Sequence, residues 1–591
     1  MFGPIKKKSR LGQWNGRRRS SRSDDPVLPD LGQRHVWVRL AAVLATTLTA
    51  TFLAYLWGQP LPYRVGEASP RDLRARVDFE VINQPQTDLA RDKAVERLRQ
   101  ENCEDPAAYE EARRSVAPVM EPYPKGAPLV QRGEKITAQQ WALLEEEHRA
   151  FRDQQTVGDK LRKACGLFLI MSLLAALVFL YVIRFQHSLA ASLPKIIGVC
   201  ALAGLTLALG LLLSKPPWYA ALIPLTVTAL VLTISYNPQF ALLMSLSLSL
   251  ATTVALGNDL HQLVLQMGGL STAVLSLRNV RTRTRIVEVG IGSGGSYLFL
   301  TIAIGLLASQ DYRFVLVDSG RHFLWGTLAG FIVSGCLPVI ERCFGIVTDI
   351  SLLDLADGSH PLMQELVKRA PGTYTHSMTV ATLAEAAAEA IDANPLLTRV
   401  GSYFHDIGKM LKPHYFIENQ AGENRHDALE PALSTLIIIG HVKDGLALAE
   451  QYGLPRPIVD FIQQHHGTTL VEYFYREAMR QQENLGNGTP EQLEPAFRYP
   501  GPKPRTRENG IVMLADAVES SSRALSDPTP NSLRKLVHDL LMKRLLDNQF
   551  DESGLTLTEL HRIEESLSKG LIALYHSRIK YPEVKERGLA S

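Results

Sequence analysis

"GSYFHDIGKMLKP", residues 401–413, sets His405 beside Asp406 in a mostly apolar run, with Lys409 three residues after the acid. Val400, Phe404, His405 and Gly408 fall at three- and four-residue spacings, so the run reads as helical and the imidazole shares its apolar face. A carboxylate carried into that setting needs a compensating charge, which a cation supplies. Gly408 has no side chain and permits close approach of another helix or a ligand. A single His–Asp pair is more often a surface or capping pair than a ligand pair. Its meaning depends on what else the chain places on such faces.

Four further stretches carry the same signature. In "GTYTHSMTVATLAEAAAEAI", 372–391, His376 shares a helical face with Val380, Leu383, Ala384, Ala387 and Ile391, and Thr373 or Thr375 is expected to cap the helix. His441 ends the apolar run of "STLIIIGHVKDGLALAE". His465 and His466 are adjacent in "DFIQQHHGTT". Neighbouring side chains on a helix diverge by about 100°, but at a helix end both reach one pocket. Asp516 sits within the apolar helix "NGIVMLADAVESSSRAL", where an unpaired carboxylate would be costly. Five His and two Asp on apolar faces are explained most economically by a cation site. Nitrogen and oxygen ligands without sulfur suit Fe, Mn or Zn. Seven ligands exceed one transition ion's needs, and two ions bridged by one carboxylate fit the count.

Outward from this helical half the composition changes. The chain has 591 residues, 46% hydrophobic and 21% charged, with a net charge of +3. That balance makes no case for binding a nucleic-acid polymer. Five Cys without a CxxC pair suggest neither a disulfide framework nor a thiolate metal site. Residues 164–345 are almost continuously apolar, in seven runs near 164–185, 192–213, 217–236, 240–257, 259–277, 286–308 and 322–344. A bilayer shelters so many runs where a water-soluble core cannot. A further run, 36–57, follows the basic arm "IKKKSRLGQWNGRRRS" and reads as an uncleaved anchor. With the arm inside, eight spans place "RNVRTRTR", 278–285, and everything after about 345 in the cytoplasm. Only Glu288 and His261, near span ends, could mark a transport path, which disfavours a transporter. "GIGSGGSY", 290–297, is expected to serve close helix packing rather than phosphate binding. Between anchor and bundle, 58–160 is expected to be a short helical region outside the cell, with helices at 87–100 and 136–151 and a turn-rich break, "EPYPKGAP", 121–128.

The order His376, His405-Asp406, His441, His465-His466, Asp516 resembles the HD-domain phosphohydrolases. With "PHYFIENQ", "HVKDGLALAEQYGLP", "FRYPGPKP" and "IVMLADAVESSSRAL", the chain more closely resembles their membrane-anchored seven-transmembrane family of the PgpH type. Characterised members are bacterial cyclic-di-AMP phosphodiesterases. The resemblance implies an all-α protein: a multi-span α-helical membrane bundle followed by an all-helical cytoplasmic HD domain. The layout would be a basic arm 1–35, anchor 36–57, external region 58–160, bundle 164–345 and HD domain 346–591, in a bacterial inner membrane. The external region is much shorter than is usual in the family. His376, His405, Asp406 and Asp516 would hold one metal. Asp406, His441, His465 and His466 would hold the other, Asp406 bridging, with Fe or Mn as the ions.

Two cations lower the pKa of a bridging water, and the resulting hydroxide would attack phosphorus to linearise cyclic-di-AMP to pApA. Lys409 is the natural phosphate contact, and Arg498, Tyr499 and Lys503 could shape the substrate mouth. "YREAMRQQENLGNGTPEQLEP", 475–495, reads as a helix and a mobile polar loop. The expected partners are a cyclic dinucleotide and the bilayer, with a homodimer and an unidentified ligand for the external region left open. Rival readings are hydrolysis of cyclic-di-GMP, an alarmone or a nucleoside monophosphate, and a receptor that binds the dinucleotide without cutting it. The absence of a GYP triplet after the HD pair argues against the cyclic-di-GMP subclass, and the full set of seven ligands against the receptor.

Overall fold

The apolar runs form long helices because a helix satisfies every backbone polar group internally, the requirement a bilayer imposes. The computed structural model describes residues 34–576 apart from 59–60, 101–105, 278–279, 421, 423, 486–492 and 527. The basic arm before residue 34 and the loop 486–492 lie outside the described residues. The anchor is the helix Arg34–Trp57. The seven later runs are Val157–Phe185, Leu193–Leu213, Leu222–Ser235, Pro238–Leu256, Leu260–Ser276, Arg283–Leu307 and Tyr312–Phe344. Leu169, Leu173, Leu180 and Phe299 are exposed on the outside of this bundle, where lipid replaces water. The chain is a multi-pass membrane protein.

Seven described helices are long and apolar enough to cross a membrane, and one of them is Pro431–Gln451. That helix belongs to the helical unit that follows the bundle, where His441 is buried in its middle. Conversely, Leu222–Ser235 has 14 residues and Leu260–Ser276 has 17, short of that length. Length and apolarity therefore do not separate a core helix from a spanning one here. The Gly-rich stretch does pack closely. A methyl on Gly290 would meet Gly330 Cα at 2.7 Å, and one on Gly294 would meet Phe323 O at 2.5 Å. The last two membrane helices thus touch backbone to backbone.

Residues 58–160 are not simply helical, which corrects the expectation. Helices Gln84–Gln100, Pro106–Ser115 and Ala138–Asp153 accompany two small antiparallel sheets. Phe79–Ile82 pairs with Met120–Tyr123, and Leu73–Arg74 with Pro128–Val130. The break "EPYPKGAP" supplies residues to both sheets. Two-stranded sheets are all edge, so Pro122 and Pro128 can sit where no second ladder needs their missing N–H. This unit docks on the start of the last membrane helix. Arg64 bonds both oxygens of Asp318 at 2.9–3.0 Å, and Gln310 bonds the backbone N and O of Ala68.

At its other end the same helix grips the following unit, where Glu341 accepts from Thr348 and Ser351. That unit, from Asp349 onward, is helical, with one isolated bridge (Leu470–Arg498) among its described residues. Two apolar cores flank its centre. One gathers Val380, Leu383, Ala384, Leu514, Val518 and Leu567; the other gathers Phe404, Ile407, Met410, Ile458 and Ile462. The predicted face of His376 is buried in the first.

Candidate metal centre

The opening stretch is not one continuous helix. Pro395–Phe404 ends at His405, and a 3₁₀ turn, Ile407–Leu411, follows Asp406. This break lets adjacent His and Asp side chains point the same way, which a regular helix forbids. His465 likewise ends the helix Arg456–Gln464, and Gly467 at φ +54° turns the chain away. His441 comes from Pro431–Gln451, which passes so close that a methyl on Gly408 would lie 1.9 Å from His441 O. His376 comes from Pro371–Ala390. Its first N–H groups, on Gly372 and Thr373, are held by Asn419 Oδ1 at 2.9 and 3.2 Å, so the cap is Asn419 rather than Thr373 or Thr375. Asp516 comes from Arg507–Ser522.

These residues assemble into two groups. His376, His405, Asp406 and Asp516 offer atoms within 4.8 Å of one another, and so do Asp406, His441, His465 and His466. The two oxygens of Asp406 divide between them. Oδ2 lies 3.2 Å from His405 Nε2 and 3.5 Å from His376 Nε2. Oδ1 lies 3.3 Å from His441 Nε2 and 3.5 Å from His465 Nε2. Asp516 Oδ1 sits 3.1 Å from His376 Nε2, while its Oδ2 is 3.7 Å from His466 Nδ1.

Divalent cations fit this donor set. His405 Nδ1 donates to Ser402 O, His441 Nδ1 to Ile438 O and His465 Nδ1 to Phe461 O and Ile462 O. His376 Nδ1 bonds Glu519 Oε2 at 2.6 Å. Each outer partner orients its ring so that Nε2 faces inward, the arrangement ligating histidines use. His376 Nε2, His405 Nε2 and Asp406 Oδ1 are buried without a hydrogen-bond partner. Orphaned polar atoms so buried carry a cost that a bound cation removes.

Charge organises the two groups differently. Burial pushes His405 down, but Asp406 beside it outweighs that and lifts it to about 9; His376 is likewise raised against burial by Asp406, Asp516 and Glu519. Burial, only partly opposed by Asp406, pushes His441 to about 4 and holds His466 well below the usual range. Burial disfavours charge on Asp406 and Asp516 too, yet the surrounding cations and imidazole donors hold both well below ordinary carboxylates.

The other predicted residues divide. Lys409 is buried and bonded to Asp406 Oδ2 at 2.7 Å and Glu418 Oε1 at 3.0 Å. The Tyr499 ring lies 4.3 Å from that of His466, so it walls the second group. Arg498, expected to help shape the substrate mouth, is bonded to Glu494, Asp547 and Thr468 O. Lys503 faces Asp551 at 3.6 Å. Glu519 and Glu418 were not singled out from sequence. The signal for Glu519 was its place three residues after Asp516 on the same buried face. Its other oxygen accepts from Arg523.

Comparisons with known proteins agree with this architecture. The family model described as "7TM receptor with intracellular HD hydrolase" matches residues 161–348, and the HD domain model matches 373–521. Cyclic-di-AMP phosphodiesterase PgpH of Bacillus subtilis is 36% identical over 378 residues, covering 62% of this chain and 52% of that protein. The protein of the same name from Listeria monocytogenes is 33% identical over 491 residues, covering 81% of this chain and 66% of that protein. The chain thus spans between half and two thirds of these relatives' length. The crystal structure of the L. monocytogenes PgpH HD domain in complex with cyclic-di-AMP is 44% identical, covering 38% of this chain and 100% of that one, with a TM-score of 0.35. Through the paired matches to its membrane bundle and its His/Asp-bearing helical unit, the chain belongs to the family of seven-transmembrane receptors with an intracellular HD hydrolase domain.

Proposed function

We propose that this protein is a membrane-bound, metal-dependent phosphodiesterase that hydrolyses cyclic-di-AMP to pApA. The observation that carries the reading is Asp406, whose two oxygens each face a separate group of imidazoles. Two divalent ions, Fe or Mn, would be held there, one by His376, His405, Asp406 and Asp516, the other by Asp406, His441, His465 and His466. Bound ions supply a water of lowered pKa and neutralise phosphate charge. The chain's own residues do the rest. Glu519 and the four backbone carbonyls keep the imidazoles aimed. Lys409, held charged by Asp406 and Glu418 against its burial, puts a fixed positive charge beside the bridging carboxylate. A phosphate entering there would meet that ammonium. Tyr499 closes the second group against solvent, which strengthens each of these interactions.

The relatives' names support the substrate. The eight helices from Arg34–Trp57 to Tyr312–Phe344 would all span a bacterial inner membrane. The basic loop 278–285 and the helical unit would then share the cytoplasm, with the unit at 58–160 outside. Incubating the purified chain with cyclic-di-AMP and Mn or Fe should release pApA, and chelator should stop it. Cyclic-di-GMP offered in parallel should be cut more slowly. Asp406→Ala should lose both metal and turnover; survival of turnover in that variant would sink the proposal.

A further inference from the structure

From Ala50 onward the anchor helix, Arg34–Trp57, shares an apolar core with Met171, Leu207, Leu211 and Ala251 of three neighbouring membrane helices. Before Ala50 the same four helices leave between them a cavity of about 250 Å³, lined by Arg39, Val43, Thr47, Val178, Val199 and Leu248 among others. The rise from Arg39 to Ala50 is about 16 Å along the helix, close to the depth of one leaflet of a hydrocarbon core roughly 30 Å thick. The slot is apolar along that length. The hydroxyls of Thr46, Thr47 and Ser247, which also line it, donate to carbonyls of their own helices. An apolar space of this size in a close-packed bundle forfeits contacts that an apolar guest restores.

Charge gathers at one end of the slot. Arg39 is the one charged residue of the lining, and its Nη2 donates to Ala191 O at 2.8 Å. It forms no ion pair among the described residues, and its Nε is buried without a hydrogen-bond partner. Arg184 and Lys195 adjoin the lining residues Ile183 and Ile196 at the same end. No Asp or Glu occurs in residues 34–57 or 160–258, so no acid of these helices offsets the three cations. An apolar slot one leaflet deep with a basic mouth has the form of a lipid site, the chain inside and an anionic headgroup at the guanidinium. We propose that this slot binds one acyl chain of an anionic phospholipid, whose phosphate rests on the Arg39 guanidinium. A zwitterionic lipid with the same chains would bring its own ammonium to that basic mouth and bind less well. The occupant comes from the leaflet at the Arg39 end, the cytoplasmic one in the orientation proposed above. The slot lies in the membrane bundle, apart from the metal centre, and does not depend on the catalytic reading.

The test uses the full chain in detergent, as wild type, Arg39→Gln, Arg39→Lys and Gly204→Leu. Each is incubated with equal amounts of phosphatidylglycerol and phosphatidylcholine of identical chains, and retained lipid is counted by native mass spectrometry. After loosely attached lipid is stripped, wild type should keep a single phosphatidylglycerol per chain in clear preference to phosphatidylcholine. Arg39→Gln should lower that preference roughly tenfold, the scale of a lost charge-assisted hydrogen bond. Arg39→Lys keeps the charge and should keep most of the preference. Gly204 lines the slot and a Cβ there meets nothing within 4 Å, so a leucine side chain has room to enter. Gly204→Leu should exclude both lipids without weakening the helix. Equal retention of the two lipids by wild type would overturn the inference. So would an unchanged preference in Arg39→Gln, or an Arg39→Lys variant that behaves like Arg39→Gln, which would make Arg39 only a tether to Ala191. Wild-type retention of phosphatidylglycerol by Gly204→Leu would place the lipid elsewhere and overturn it too. None of these readouts involves turnover of cyclic-di-AMP, so the proposed function stands or falls separately.

Discussion

Gly408 is where fold and site are tied most tightly, and Gly408→Ala measures the tie. The added methyl would lie 1.9 Å from His441 O and 2.5 Å from Gly445 N. Both are backbone atoms of one helix, so no side chain can rotate away. Reaching an ordinary contact of 3.4 Å requires the turn and the helix to part by about 1.5 Å. His441 Nε2 sits only 3.3 Å from Asp406 Oδ1, and metal–ligand distances tolerate about 0.2 Å. The second group should therefore fail first. Overpacking against backbone should cost about 3 kcal/mol, the upper end of its usual range. Metal content by plasma mass spectrometry should fall from the proposed two ions per chain towards one, and thermal unfolding of the helical unit should drop by several degrees. Gly440→Ala is the control: it lies in the same helix, one residue from His441, with nothing within 4 Å of its new methyl. Alanine there should be neutral or slightly stabilising. Wild-type metal content and melting in Gly408→Ala, or equal damage in Gly440→Ala, would refute the packing argument.

Three other outcomes follow from the same geometry. Glu519→Gln should keep the fold but weaken metal binding about 10- to 100-fold, because the outer partner of His376 loses its charge; competition with a coloured chelator reads this directly. Metal uptake should release protons: His405 titrates at about 9 without metal and must be neutral to ligate, so below that pH each step towards acid weakens binding. Calorimetric titration at pH 7 in buffers of different ionisation enthalpy should give a buffer-dependent heat, and a buffer-independent heat would contradict the charge state. Lys409→Gln should leave Asp406 and Glu418 without their shared cation and lower kcat at least tenfold while KM changes less; a pure KM effect would limit Lys409 to substrate binding.

Much of the architecture was legible along the chain because the relevant signals are local. Unbroken apolar length marks a bilayer helix, and all seven bundle runs and the anchor became helices. Gly290 and Gly294 declared close packing because nothing else brings backbones together inside an apolar helix. The seven metal-capable residues stood out because a His or Asp on an apolar face needs an explanation wherever that face ends up. The two sheets in 58–160 were missed because strands of two to four residues leave too few positions for an alternation to register.

Periodicity says which face of a helix is buried, never which distant face it meets. How the ligands divide between the oxygens of Asp406 depends on helices that start at residues 371, 395, 431, 456 and 507 converging, and on chain breaks after His405 and His465. Lys409 and Arg498 are both plain basic residues in sequence. Only the folded chain decides that the first is buried between Asp406 and Glu418 and the second is held by Glu494 and Asp547, because ion pairing depends on separation in space and that separation is set by packing across the whole unit.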